Sequence, residues 1–167
     1  MSYVIGVDLG TQSLKGLLVN PEGKIVAEAT CAHDPIYPNP GWAEQPVEDY
    51  LHSFTTVIKQ LIADSGVDPA EIGTIGMDAI NDSVIAADEI ARNVDPARVF
   101  EVSGLNLDST HTAAKMLWIK KNRPEVFAKA KYLLNVDSYM VYWMTGAAVV
   151  DYAQASASMI YNVAEKT

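Results

Sequence analysis

A chain of 167 residues, 49% apolar and 20% charged, is long enough to bury a core and has the mixture of an ordinary globular domain. Its net charge of −9 argues against a surface for nucleic acid or an anionic membrane, which needs a basic patch, but not against phosphate held by backbone amides and a metal. A single cysteine, Cys31, excludes a disulfide framework and fits a reducing, cytoplasmic setting; no run reaches the ~18 apolar residues of a membrane span, and the start reads as lacking a secretory leader.

The front of the chain reads as strands. Residues 3 to 8 (Tyr-Val-Ile-Gly-Val-Asp) are β-rich and apolar on both faces, as in a central strand. Residues 14 to 19 form a second strand, and "NPEG" at 20 to 23 supplies turn chemistry before a third at 24 to 31. Short connections make these three an antiparallel meander. The proline-rich stretch "HDPIYPNPGWAEQP" then predicts an extended, irregular loop.

A helix follows, with Val47, Tyr50, Leu51, Phe54, Val57, Ile58, Leu61 and Ile62 recurring at three- and four-residue steps. Pro46 suits its first turn, Glu48 and Asp49 complement its dipole, and Gly66 closes it. Residues 72 to 78 form another buried strand and 83 to 87 a short fifth, so the pattern predicts a mixed α/β sheet with a crossover helix. The remainder is helical. Residues 112 to 122 place Ala113, Met116, Leu117 and Trp118 at core spacings, Pro124 starts a short helix, and Asp137 or Ser138 caps a third that Gly146 stops.

The chemistry concentrates in "VIGVDLGTQSLKGLLV", residues 4 to 19. Asp8 ends a buried strand, where a carboxylate is costly unless it is paired, hydrogen-bonded or on a metal. Gly10 permits a tight turn and close approach of an anion, Thr11, Gln12 and Ser13 add donors, and Lys15 adds a positive charge. Two readings fit that spacing. In one, amide N–H groups face phosphate oxygens while Asp8 holds a hydrated Mg²⁺; in the other, the segment is a plain β-hairpin with an Asx-type hydrogen bond. His33, His52 and His111 are isolated and show no metal-ligand spacing.

"IGVDLGTQSLKGLLVNPEGKIV" closely resembles the opening of the FGGY family of carbohydrate kinases, in its xylulokinase-like branch. "PGWAEQPVEDY", "IGTIGMDA", "TAAKMLWIKKNRPEVFAKAKYLLNVDSYMVYWMTG" and "VVDYAQASASMIYNV" resemble later segments of that family in the same order. The resemblance implies a ribonuclease-H-like (actin-like ATPase) α/β domain that uses ATP and Mg²⁺. It implies that Asp8, Gly10, Thr11, Gln12, Ser13 and Lys15 surround the phosphates, with Asp8 near the metal, and that Trp42 and Glu44 lie beside the sugar pocket. Asp137 and Asp151 also fall in similar segments and read first as a helix cap and a loop carboxylate. The last segment carries a strand in the family.

Three departures shape the expectation. Where the family commonly has glutamine, methionine and histidine, this chain has Ile80, Asn81 and Asp82; the latter two read either as candidates for binding sugar hydroxyls or as a plain loop turn. Near residues 88 to 90 an internal segment of about twenty residues is missing, and the join is short for a parallel crossover. Finally, the general base and the adenine pocket of the family lie beyond the position matching Thr167. The chain therefore reads, over residues 1–167, as a truncated N-terminal domain of a sugar kinase, without its C-terminal domain and inactive alone. Its partners would be a sugar or polyol, that missing domain, or a second copy of itself; the rival readings are a non-catalytic module and another actin-like ATPase.

Overall fold

The computed structural model describes residues 2–79, 95–106, 108 and 110–166, which fall into two compact units, Met1–Ile80 and Asn81–Thr167. The expected strand at 83–87, the join near 88–90, and Asn81 and Asp82 lie outside the described residues.

In the first unit, strands β1 (Tyr3–Leu9), β2 (Ser13–Val19) and β3 (Ile25–Ala32) form the antiparallel meander, and helix α1 (Val47–Ser65) carries the chain across to β4 (Ile72–Ala79). The sheet order is β3-β2-β1-β4, with β4 parallel to β1. Asn20 builds the β2–β3 turn: its Oδ1 accepts from the N–H groups of Glu22 and Lys24, at 3.1 and 2.9 Å. Gly23 takes the left-handed φ of 81° that the turn requires.

One face of the sheet is dry. Ile5, Val7 and Leu9 of β1 and Leu14 and Leu18 of β2 are buried there, as are Tyr50, Phe54, Val57 and Leu61 of α1. Full burial of such side chains contributes roughly 1.5–3 kcal/mol each. Gly16 lets the helix approach β2, because a Cβ there would sit 2.5 Å from Val57 Cγ1 and 3.0 Å from Leu61 Cδ1. The small residue Ala27 is buried on β3.

The other face is open, which corrects the expectations that β1 is apolar and covered on both sides and that β4 is a buried strand. Val4, Gly6 and Asp8 are exposed, and so are Thr74, Gly76 and Asp78 of β4. A Cβ at Gly6 or Gly76 would meet nothing within 4 Å. Strand alternation buries one set of side chains and exposes the other, so an apolar run alone does not reveal whether both faces are covered.

The second unit is helical: α2 (Pro96–Ser103), α3 (Thr112–Asn122), α4 (Pro124–Lys129), α5 (Val136–Thr145) and α6 (Tyr152–Ala157). Asp95 caps α2 through the Ala97 N–H at 3.0 Å, and Gly104 and Gly146 close α2 and α5 in the left-handed conformation. Ala114 and Met159 are buried against Val99, Leu105 and Ala113. A polar chain runs beside them: Thr112 Oγ1 donates to Asn135 Oδ1 (3.4 Å), and Asn135 Nδ2 donates to Gln154 Oε1 (3.1 Å).

Three expectations change here. Leu117 is exposed rather than core, and Ala114 takes the buried position. The N-cap of α5 is Asn135; Asp137 and Ser138 are inside the helix and buried. The stretch 149–163 holds helix α6 rather than a strand, and Asp151 is its N-cap, accepting from Ala153 and Gln154 N–H at 2.7 and 2.9 Å. No helix among the described residues is long and apolar enough to cross a membrane.

Candidate phosphate-binding hairpin

Strands β1 and β2 are joined through Gly10, Thr11 and Gln12. Register partners Leu9 and Leu14 anchor the hairpin in the core, and the Gly10 N–H donates to the Ser13 carbonyl at 3.0 Å. That amide is therefore used within the hairpin. Gly10 has a steric task instead: a Cβ there would lie 3.0 Å from the Ser13 carbonyl oxygen. Thr11 and Gln12 are exposed, and among the described residues no hydrogen bond occupies their N–H groups. They are the donors left for a ligand.

The charged residues beside the hairpin share the open face of the sheet. Asp8 pairs in register with Lys15 on β2 and with Asp78 on β4, so the three form a row Lys15–Asp8–Asp78 across neighbouring strands. Adjacent strands are about 4.8 Å apart, which brings the two carboxylates close. All three side chains are exposed, which corrects the reading of Asp8 as a buried charge in need of a partner. Asp78 Oδ1 accepts from the Ala79 N–H at 3.0 Å.

Two like charges side by side repel, and a hydrated divalent cation relieves that repulsion, so this donor set fits Mg²⁺ held mostly by water. It is not a cage: no cluster of three or more potential metal ligands occurs among the described residues. Asp78 escaped the sequence reading, although it ends an apolar strand in a carboxylate as Asp8 does.

The other sequence candidates are placed less closely. Trp42 is half-buried and Glu44 exposed, on a loop that closes on itself through the paired backbone bonds of Ile36 and Glu44, each 2.8 Å. The irregular loop thus has a bridged neck. Gln45 Nε2 donates to Asp49 Oδ2 at 3.0 Å at the start of α1.

A larger miss is His33, the first residue after β3. Its backbone N–H donates to the Gln12 carbonyl (2.9 Å), while its ring reaches Gly10 and Ser53. The only signal available in the sequence was an unpaired histidine next to a strand end.

In the second unit, Asp137 and Asp151 form a carboxyl pair. Burial first, and then the Asp151 side chain, push Asp137 above the ordinary carboxylate range, against an opposing hydrogen bond from the Ser138 N–H. The Gln154 and Ala153 N–H groups, helped by a hydrogen bond from Asp137, hold Asp151 below that range. The pair joins the first turn of α5 to the cap of α6. A cavity of about 410 Å³ in this unit is lined largely by apolar side chains, among them Met116, Leu133, Leu134, Val149 and Ile160.

The N-terminal-domain model of the FGGY family of carbohydrate kinases matches residues 3–100 and again 86–167. Xylulose kinase of Bacillus subtilis is 29% identical over 187 aligned positions, covering 99% of this chain and 38% of that protein. Glycerol kinase of Symbiobacterium thermophilum is 26% identical, covering 96% and 38%. Among solved structures, ligand-bound xylulose kinase from Lactobacillus acidophilus superposes with a TM-score of 0.88 at 22% identity, over all of this chain and 38% of that one. Plasmodium falciparum glycerol kinase with ADP gives 0.86 at 17%, over all of this chain and 39% of that one. The chain thus spans under two fifths of the first curated relatives it matches, and its α/β fold is that of the ribonuclease-H-like N-terminal part of these kinases. With matches that together run from residue 3 to residue 167, this chain belongs to the FGGY family of carbohydrate kinases, as a partial N-terminal domain.

Proposed function

We propose that this chain supplies the first phosphate-binding hairpin, and one wall of the acceptor cleft, of an ATP-dependent kinase for a sugar or polyol. The carrying observation is the exposed Thr11–Gln12 turn, whose N–H groups are unclaimed, beside the Lys15–Asp8–Asp78 row. Amides fixed by a buried hairpin donate to phosphate oxygens with little reorganisation. The Ser13 hydroxyl and Lys15 ammonium add further donors at the edge of the phosphates. Asp8 and Asp78 would hold Mg²⁺, which when bound neutralises phosphate charge. Trp42 and Glu44, with Asn81 and Asp82, would orient the acceptor.

The relatives named for xylulose and glycerol support a polyhydroxylated acceptor. An in-line transfer also needs a base at the acceptor hydroxyl and a closed cleft, which in this reading come from sequence after the matched segment, including a C-terminal domain. The internal deletion near 88–90 is supported by two facts. The family matches overlap at residues 86–100, and the alignment to xylulose kinase runs over 187 positions against the 167 of this chain. The free, half-buried Cys31 fits a cytoplasmic setting.

Two measurements test the reading. Calorimetric titration of the 167-residue chain with ADP is expected to show Mg²⁺-dependent binding that Gly10→Val removes; no binding by the native chain would overturn the phosphate assignment. A coupled ADP-release assay with pentuloses and glycerol is expected to show little or no turnover. Brisk turnover would overturn the assignment of the base to sequence outside this chain.

A further inference from the structure

We infer that His33 is a positioning residue that locks the phosphate hairpin to helix α1. Its ring is nearly buried, 9% exposed, and spans two elements: Nε2 lies 3.0 Å from the Gly10 carbonyl oxygen and Nδ1 lies 3.1 Å from Ser53 Oγ. The edge of Tyr50 meets the ring, with centroids 5.1 Å apart and planes at 67°. Burial raises the Tyr50 phenol above its usual range, so this neighbour stays neutral.

The bonding partners dictate the proton positions. A carbonyl oxygen only accepts, so Nε2 must carry the hydrogen donated to Gly10. In the neutral ring Nδ1 then accepts from the Ser53 hydroxyl, which is 1% exposed. Both ring nitrogens and Ser53 are satisfied in this tautomer, as buried polar groups require. The His33 backbone adds a third tie through its bond to the Gln12 carbonyl.

Consequently the carbonyls on either side of Thr11, those of Gly10 and Gln12, are both held by one residue. With the Gly10 carbonyl held inward, the peptide plane it shares with the Thr11 N–H is pinned, and the plane carrying the Gln12 N–H lies between that one and the held plane of the Gln12 carbonyl, so both donors stay presented to solvent. The histidine thus acts through the backbone rather than by touching a ligand. Ser53 extends the same support into α1, which explains why a serine sits in the buried stripe of that helix between Tyr50 and Phe54.

The functional half of this inference rests on the nucleotide reading of the hairpin; the structural half does not. Nitrogen-15 spectra of the native chain are expected to show His33 as the Nε2–H tautomer, and the Nδ1–H form would overturn the inference. His33→Leu is expected to speed hydrogen exchange at the hydrogen-bonded amides of Gly10 and position 33, and to weaken ADP binding, each by about tenfold. His33→Gln, which returns a donor toward Gly10, is expected to recover most of both losses. Hairpin exchange at the native rate in His33→Leu, or no recovery by glutamine, would overturn it. If leucine unfolds the chain, Ser53→Ala serves instead, with faster hairpin exchange expected and an unchanged rate overturning the inference. A native chain that binds no ADP refutes the nucleotide reading, whereas the exchange and tautomer results still decide the role of His33.

Discussion

The two units are held together by different chemistry. The first buries long aliphatic side chains between a sheet and one helix: Ile5, Leu9, Leu14, Leu18, Val57 and Leu61 are at most 1% exposed. In the second, the buried set is mostly small or polar, with Ala114, Ser103, Thr112, Asp137, Ser138 and Gln154 joining Met140. Large apolar side chains such as Phe100, Val150, Tyr152 and Ile160 are more than half exposed. Apolar burial is non-directional and tolerates sequence change so long as volume is kept. A buried polar group is costly unless it finds a partner, so the second unit depends on individual bonds and caps.

That contrast can be broken by substitution. Leu14→Ala should cost about 2–5 kcal/mol of stability, and urea unfolding followed by peptide-level hydrogen exchange should place the loss of protection in residues 3–79. Equal loss throughout residues 112–145 would show that the two cores unfold as one. Gly16→Ala should cost roughly 1–3 kcal/mol in the same assay, because the added methyl runs into Val57 and Leu61 where α1 lies on β2.

In the second unit the expected effects are smaller and tied to single bonds. Asp151→Ala removes the acceptor of two N–H groups at the start of α6 and should cost about 1 kcal/mol, seen as faster exchange at Ala153 and Gln154. Asp137→Asn is expected to change neutral-pH stability least, by about 1 kcal/mol or less and in the stabilising direction, since the amide can donate to Asp151 without a charge.

The pH dependence sharpens this last case. The folded pKa of Asp137 is raised, so its contribution is full below the unfolded carboxylate value and is lost as pH rises through the folded value. Asp151 is lowered and behaves oppositely: its contribution is present above the unfolded value and is lost as pH falls through the folded one. Asp137→Asn should therefore abolish the loss on the rising side and leave the acid-side loss, as read from urea midpoints across mildly acid to neutral pH. An unaltered rising limb would show that the carboxyl pair does not act in this way.

Much of the molecule was legible from local chemistry. The meander, the crossover helix ending at Gly66, the parallel return strand and the helix at Thr112–Asn122 stand close to where turn residues and periodicity put them. The hairpin at Gly10 was also legible, because a three-residue link between apolar strands leaves few conformations. Asp137 was misread as a cap because capping residues look alike over a span of three, and the cap position fell to Asn135. The helix at Tyr152–Ala157 was missed because family resemblance suggested a strand there, while the capping bonds of Asp151 became visible only in coordinates.

What the amino-acid sequence determined by itself is where the backbone turns and which short segments are strand or helix, since φ/ψ preferences and capping act over a few neighbouring residues. Tertiary structure alone decided that Asp8 stands on an open face beside Asp78, and that His33 reaches across to Gly10 and Ser53. Those partners lie tens of residues apart in the chain, and only strand register and helix packing bring such groups within hydrogen-bonding distance.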